Sequence, residues 1–123
     1  MAKITEIVFD CLEPSILAEF WECTLDDFKK RKYDDREIAK LAARGLKPES
    51  DPQVALDGPH FNIFFQINKE TKRLRNRIHL DICAGNREQE VQRLEALGAS
   101  VRDTHETYTV MLDPEGNEFC VTD

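Results

Sequence analysis

The order of elements readable in the sequence predicts an α+β fold built from two βαβββ-like modules. Three observations carry that expectation. Strand, helix and further strands follow one another in that order twice. Both leading strands alternate apolar and polar side chains with the period of two that separates the faces of a sheet. And Ile7-Val8-Phe9-Asp10, before the first helix, is echoed by Ile78-His79-Leu80-Asp81 before the third. Either half alone would leave a sheet face uncovered. Helices on one side and a partly solvated concavity on the other suit this pattern, and an ordinary α+β sandwich whose polar face is merely wet suits its periodicity equally well.

Ile4 to Cys11 reads as the first strand, with Thr5, Ile7 and Phe9 on one face and Glu6, Val8 and Asp10 on the other. Pro14 fits the first turn of a helix, and Ile16, Leu17, Phe20, Trp21 and Thr24 keep helical spacing up to about Leu25. A highly charged stretch, Asp26 to Lys32, follows. Asp34 with Glu37 forms a capping-box pattern ahead of Ile38, Leu41 and Ala42, and Gly45 and Pro48 end that second helix. Lys47 to His60, with Pro48, Pro52, Gly58 and Pro59, reads as loop around a short strand at Val54 to Leu56. Phe61 to Asn68 is a strand with Phe61, Ile63, Phe65 and Ile67 opposite Asn62, Phe64 and Gln66; Arg77 to Cys83 is another, with Ile78, Leu80 and Ile82 opposite Arg77, His79 and Asp81. Asn86 and Gln89 open a third helix along Val91, Leu94 and Leu97, closed by Gly98. Strands at Ser100 to Asp103, Tyr108 to Leu112 and Glu118 to Thr122 complete the chain, the last two joined by a turn at Asp113-Pro114-Glu115-Gly116-Asn117.

A chain of 123 residues, 41% hydrophobic with seven Phe, is the size of one domain and can bury a core. Residues 1–123 are therefore expected to be a single domain with halves at about 1–70 and 74–123. With 24 acidic against 17 basic side chains and a net charge of -7, general attraction to nucleic acid or anionic lipid is disfavoured, so the partner is expected to be a small molecule or a protein. No apolar run approaches the roughly 20 residues needed to cross a bilayer, and the N-terminus lacks the order of a signal peptide. A cytoplasmic protein is expected. Cys11, Cys23, Cys83 and Cys120 contain no CxxC pair and read as reduced thiols, mostly buried.

Four segments together resemble a known family: Phe9 to Trp21, Asn76 to Asp81, Arg93 to Ala99, and Met111 to Val121 with its Asp-Pro-Glu-Gly-Asn turn. They are similar to the glyoxalase-like and bleomycin-resistance branch of the vicinal oxygen chelate superfamily, and the likeness spans both halves. The departure is Asp34 to Pro52, where a helix stands in place of the more usual strand. What the resemblance implies is a curved mixed sheet around a cavity that holds a small oxygenated ligand, and in many relatives a divalent metal polarising vicinal oxygens. His79 matches the histidine on the first strand of the second half. In the first half, counting back from Phe20 and Trp21 selects Glu6, whereas aligning the strands selects Val8. Gln66 is the candidate on the first half's last strand, and Cys120 stands where the family has a glutamate.

The implied metal set is therefore His79, Glu6, Gln66 and Cys120, binding one divalent ion with zinc preferred, or no metal at all. Glu118 and Glu6 are the acid/base candidates, because a proton shuttle beside a carbonyl needs a carboxylate within reach. Phe64, Gln66, Arg77 and Asp81 are candidates for substrate contact. His60 and His105 lie in predicted loops, which argues against an iron dioxygenase needing two histidines and a carboxylate. The expected activity is that of a metal-dependent lyase or isomerase; the alternative is a metal-free protein that sequesters a small molecule. A homodimer is expected, because relatives commonly pair and open sheet edges favour association.

Overall fold

The structure, a computed structural model, describes residues 1–123 as two compact units, 1–71 and 72–123, each with its own four-stranded sheet. The two share one topology. In the first unit the strand order is β1-β4-β3-β2, with β1 (Glu6–Cys11) parallel to β4 (Asn62–Ile67) and β3 (Gln53–Asp57) antiparallel between β4 and β2 (Lys29–Lys30). In the second it is β5-β8-β7-β6, with β5 (Leu80–Cys83) parallel to β8 (Glu118–Thr122), then β7 (Tyr108–Leu112) and β6 (Ser100–Thr104) antiparallel. The internal repeat is thus a repeat of topology.

Helix α1 (Pro14–Thr24) forms because Pro14 presets its first turn and Leu17, Ala18, Phe20, Trp21 and Thr24 recur on one face. That face packs on β3 and β4. Trp21 meets Phe9 edge-on at 5.7 Å between ring centroids, and Phe9 meets Phe65 at 5.2 Å. Trp21, Leu17, Leu56, Ile63 and Phe65 are almost wholly buried, so the apolar face of the sheet is covered and the face bearing Glu6, Val8 and Asp10 is the exposed one.

Helix α2 (Asp35–Ala43) closes its N-terminus with the capping box: Asp34 Oδ1 accepts from the Glu37 N–H at 2.8 Å, and Glu37 Oε2 from the Asp34 N–H at 3.0 Å. Gly45, at φ +72°, ends it in the left-handed region. This helix does not stand in place of the first half's strand, contrary to the expectation for Asp34 to Pro52. It is inserted between β2 and β3, and the strand is the Lys29–Lys30 pair inside the charged stretch. Two residues cannot display a period, and lysines suit a sheet edge that must not recruit another chain.

In the second unit, α3 (Arg87–Ala96), capped by Asn86 Oδ1 on the Gln89 N–H at 3.0 Å, packs on β6, β7 and β8 through Leu94. Leu94, Met111, Phe119 and Val121 are fully buried. The β7–β8 turn is held by Asp113, 3% exposed, whose Oδ1 accepts from the N–H groups of Glu115 at 2.9 Å and Asn117 at 3.0 Å, while Gly116 supplies φ +83°.

One expected strand is shorter than its pattern. Arg77 to His79 precede β5, which pairs only from Leu80 opposite Phe119, and Ile78 is 81% exposed instead of packed beneath a helix. Upstream of the strand, the Asn76 N–H donates to the Glu118 side chain at 2.8 Å.

Candidate functional site

The polar face of the second sheet gathers three metal-capable side chains. Asp81 and Cys120 are directly paired across β5 and β8, and His79, two residues before Asp81, adjoins them; one ligand atom from each lies within 4.8 Å of the others. His79 Nδ1 and Asp81 Oδ1 are 3.0 Å apart, with both side chains more than half exposed. Cys120 is half-buried, and of the four cysteines expected to be mostly buried only Cys11 is, Cys23 and Cys83 being exposed. Burial, then the charge of Asp81 and the hydrogen bond to it, push the Cys120 thiol above its ordinary value.

Glu118, two positions before Cys120 on β8, sits differently. Its side chain is 11% exposed and accepts from the Asn76 N–H at 2.8 Å, Lys72 Nζ at 3.1 Å and Arg102 at 3.4 Å. Burial opposes its ionisation, but the backbone N–H groups of Asn76 and of Glu118 itself, together with the Lys72 ammonium, outweigh it and hold the carboxyl down at about 2. Arg77 is exposed in the bend before β5.

In the first unit, Glu6 begins β1, exposed, opposite Asn62. Asp10 and Gln66 are paired residues, and Gln66 Nε2 donates to Asp10 Oδ1 at 3.1 Å. Phe64, two residues before Gln66 on β4, is half-buried opposite Ala55, with the Arg31 guanidinium 5.2 Å from its ring centroid. Arg31 is fixed in turn by Asp57, through Nε at 3.0 Å and Nη2 at 2.6 Å. Beside them is an open cavity of about 130 Å³ lined by Arg31, Tyr33, Glu37, Asp51, Gln53 and Phe64. Tyr33 Oη donates to Asp51 Oδ2 at 2.7 Å; burial and then that carboxylate raise its phenol well above the usual range.

The units therefore bring His79, Asp81, Cys120 and Glu118 onto one face, and Glu6, Gln66 and Phe64 onto another. The reading of residues alone missed Arg31, Tyr33 and Asp51. The only signal available was that a tyrosine and an arginine flank a capping box, and nothing in their spacing reveals a cavity.

The donor set fits a divalent ion in chemistry: one imidazole, one carboxylate and one thiol on two paired strands match the nitrogen, oxygen and sulfur ligands of three-ligand zinc sites.

Two βαβββ units with this strand order match the fold of glyoxalase/bleomycin resistance/dioxygenase proteins. The glyoxalase-like domain family matches residues 6–122, and the chain belongs to it. Among solved structures, it is similar to a glyoxalase/bleomycin resistance protein/dioxygenase family enzyme from Burkholderia phytofirmans PsJN, at 18% identity over 98% of this chain and 97% of that one, with a TM-score of 0.66. Leishmania major glyoxalase I is similar at 14% identity over 100% of this chain and 87% of that one, TM-score 0.65. The fosfomycin resistance protein FosX from Mesorhizobium loti follows at 11% over 99% and 90%, TM-score 0.64. At such identities the likeness is one of fold. No curated protein matches the sequence. No helix is long and apolar enough to cross a membrane.

Proposed function

We propose that this protein is a cytoplasmic, metal-dependent lyase or isomerase acting on a small oxygenated substrate, its two halves working as one domain and its chains pairing as a homodimer. The observation that carries the reading is the His79–Asp81–Cys120 cluster on the polar face of the second sheet. A divalent ion held there would supply Lewis-acid polarisation of a carbonyl. His79 binds through imidazole nitrogen. Glu6 is the better proton acceptor of the two candidate carboxylates, because Glu118, ionised down to about pH 2 and engaged by three partners, is suited to anchoring the 72–76 segment. Phe64, Gln66 and Arg77 contribute substrate contacts, an aromatic face, an amide and a cation.

A second reading is metal-free sequestration of a small molecule. It is favoured by Cys120 standing where the resemblance puts a hard carboxylate, with its thiol held protonated more firmly than usual.

Incubation of α-hydroxy and α-oxo carbonyl compounds in D₂O separates the two. Zinc-dependent deuterium entry at the carbon next to the carbonyl, lost in His79→Ala, supports the enzyme. Saturable ligand binding without exchange supports sequestration, and neither effect with any compound overturns both. Light scattering at about ten micromolar tests the dimer.

A further inference from the structure

A cavity of about 400 Å³ lies in the second unit between α3 and the β6–β7 hairpin. Thr104 and Thr109, paired across the two strands, form its floor. Thr109 is also paired with Val121, the neighbour of Cys120 on β8, so the cavity is on the helix-covered side of the sheet, opposite the His79–Asp81–Cys120 cluster. Its volume is that of a small-molecule site. The cavity of the first unit, about 130 Å³, is smaller, and its tyrosine is already bonded to Asp51.

We propose that this second cavity binds a linear aliphatic diamine, its two ammonium groups held by Glu88 and Glu95, its chain lying over Val91, and the Thr109 hydroxyl accepting from the amine. The site is separate from the metal-dependent reading and uses none of its residues.

The first observation is an unused buried hydroxyl. Thr109 is 4% exposed and its hydroxyl bonds to no group of the protein, yet no side-chain oxygen or nitrogen shut off from solvent goes without a partner. What remains accessible of Thr109 therefore includes its hydroxyl, which opens on the cavity. A buried polar group without a partner is costly, and an ammonium N–H arriving there removes that cost.

The second is the charge pattern of the wall. Glu88, Val91, Gln92 and Glu95 are spaced i, i+3, i+4 and i+7 on α3 and form one stripe along the cavity. The nearby arginines are engaged elsewhere. Arg93 pairs with Glu90, while Arg87 donates to the carbonyls of His105 at 3.2 Å and Glu106 at 2.8 Å and lies 3.7 Å from Asp123. Glu88 and Glu95 are left without an ion pair, both exposed at the mouth, with half-buried Val91 between them.

These two carboxylates are two helical turns apart, roughly 10.5 Å along the axis. Two uncompensated negative charges repel an anion, and a neutral polyol leaves both unpaired. A single amine answers one of them. A diamine with about five to seven carbons between its nitrogens spans the two turns, less the reach of the glutamate side chains, and sets methylene groups against Val91.

The experiment is isothermal titration calorimetry of the full-length chain at roughly 0.15 M salt, with cadaverine as the probe. Comparison ligands are n-pentylamine, which has one ammonium group, and ethylenediamine, which is too short. The expected result is one cadaverine per chain, with both comparison ligands at least about fivefold weaker. Glu88→Gln and Glu95→Gln, on the exposed face of α3, should each weaken cadaverine by about two- to fivefold. Thr109→Val should weaken it by about fivefold without lowering Tm, because no hydrogen bond within the protein is lost. Glu70→Gln, on the surface of the first unit, binds as the parent does. Circular dichroism checks that each variant is folded, and the two glutamate variants decide the matter should Thr109→Val misfold. Equal weakening by Glu70→Gln and Glu95→Gln, or n-pentylamine binding as tightly as cadaverine, means attraction to an acidic chain only and overturns the site. A lowered Tm in folded Thr109→Val overturns the free hydroxyl, and no binding of cadaverine overturns the proposal outright. None of these results touches zinc-dependent exchange at His79, so failure here is distinguishable from failure of the metal-dependent reading.

Discussion

Asp81 and Cys120 face each other across the parallel β5–β8 pair, and partial burial together with that carboxylate holds the thiol in its protonated form. A residue pair distant in sequence thereby sets how readily the Cys120 thiol of the candidate cluster ionises.

That pairing predicts a slow thiol. Cys23 and Cys83 are exposed and would dominate any labelling, so the measurement belongs in a Cys23→Ser/Cys83→Ser background without metal. There, alkylation of Cys120 by iodoacetamide rises with pH later than for an ordinary thiol. Asp81→Asn shifts the rate profile to lower pH by removing the opposing charge. A profile unmoved by Asp81→Asn contradicts the electrostatic account.

Glu118 predicts an acid-sensitive second unit. Its folded-state value, about 2, lies below its ordinary 4.5, so its contribution is present above the ordinary value and lost as pH falls toward the folded one. Solvent screening of the Lys72 and Arg102 charges keeps that contribution below the roughly 3 kcal/mol that the full difference represents. Glu118→Gln should therefore lower the urea midpoint at pH 7, and the gap between variant and parent should narrow between about pH 4.5 and pH 2. A gap independent of pH assigns the effect to packing alone.

Tyr33 predicts a silent phenol. In a Tyr108→Phe variant it is the remaining tyrosine of the two, and the ultraviolet rise that accompanies phenolate formation should be missing at the pH where free tyrosine ionises. Asp51→Asn should bring that rise back toward lower pH, because it removes a charge that opposes phenolate.

The core predicts large and similar costs in each unit. Phe65 and Phe119 are both wholly buried on the helix-covered faces, and Phe→Ala at either should destabilise by about 3–5 kcal/mol. Chemical denaturation monitored through Trp21, in the first unit, and through hydrogen exchange of β8, in the second, shows whether each loss stays within its own unit. By contrast Asp34→Ala, at an exposed cap, should cost about 1 kcal/mol and fray α2.

Much of this architecture was legible in the residues. The alternation of Glu6 to Cys11, the spacing of Leu17, Phe20 and Trp21, the Asp34–Glu37 and Asn86–Gln89 caps and the Asp113-Pro114-Glu115-Gly116-Asn117 turn are each decided by neighbours a few positions apart. Short-range steric and hydrogen-bonding preferences act on such neighbours before any tertiary contact exists, so periodicity and capping report them directly. The βαβββ repeat and the membership in a glyoxalase-like family follow from the same local marks.

Other features belong to the tertiary structure alone. The two-residue β2 carries no period, and its pairing with β3 makes it a strand. His79 falls just outside β5, whose pairing with β8 begins at Leu80 opposite Phe119. The pairing of Asp81 with Cys120, the capture of Glu118 by Lys72 and Arg102, and the burial of Tyr33 against Asp51 all join residues far apart along the chain. Strand register sets which of these groups meet, and the resulting burial and charge set their protonation. Both are properties of packed neighbours, which sequence spacing does not encode.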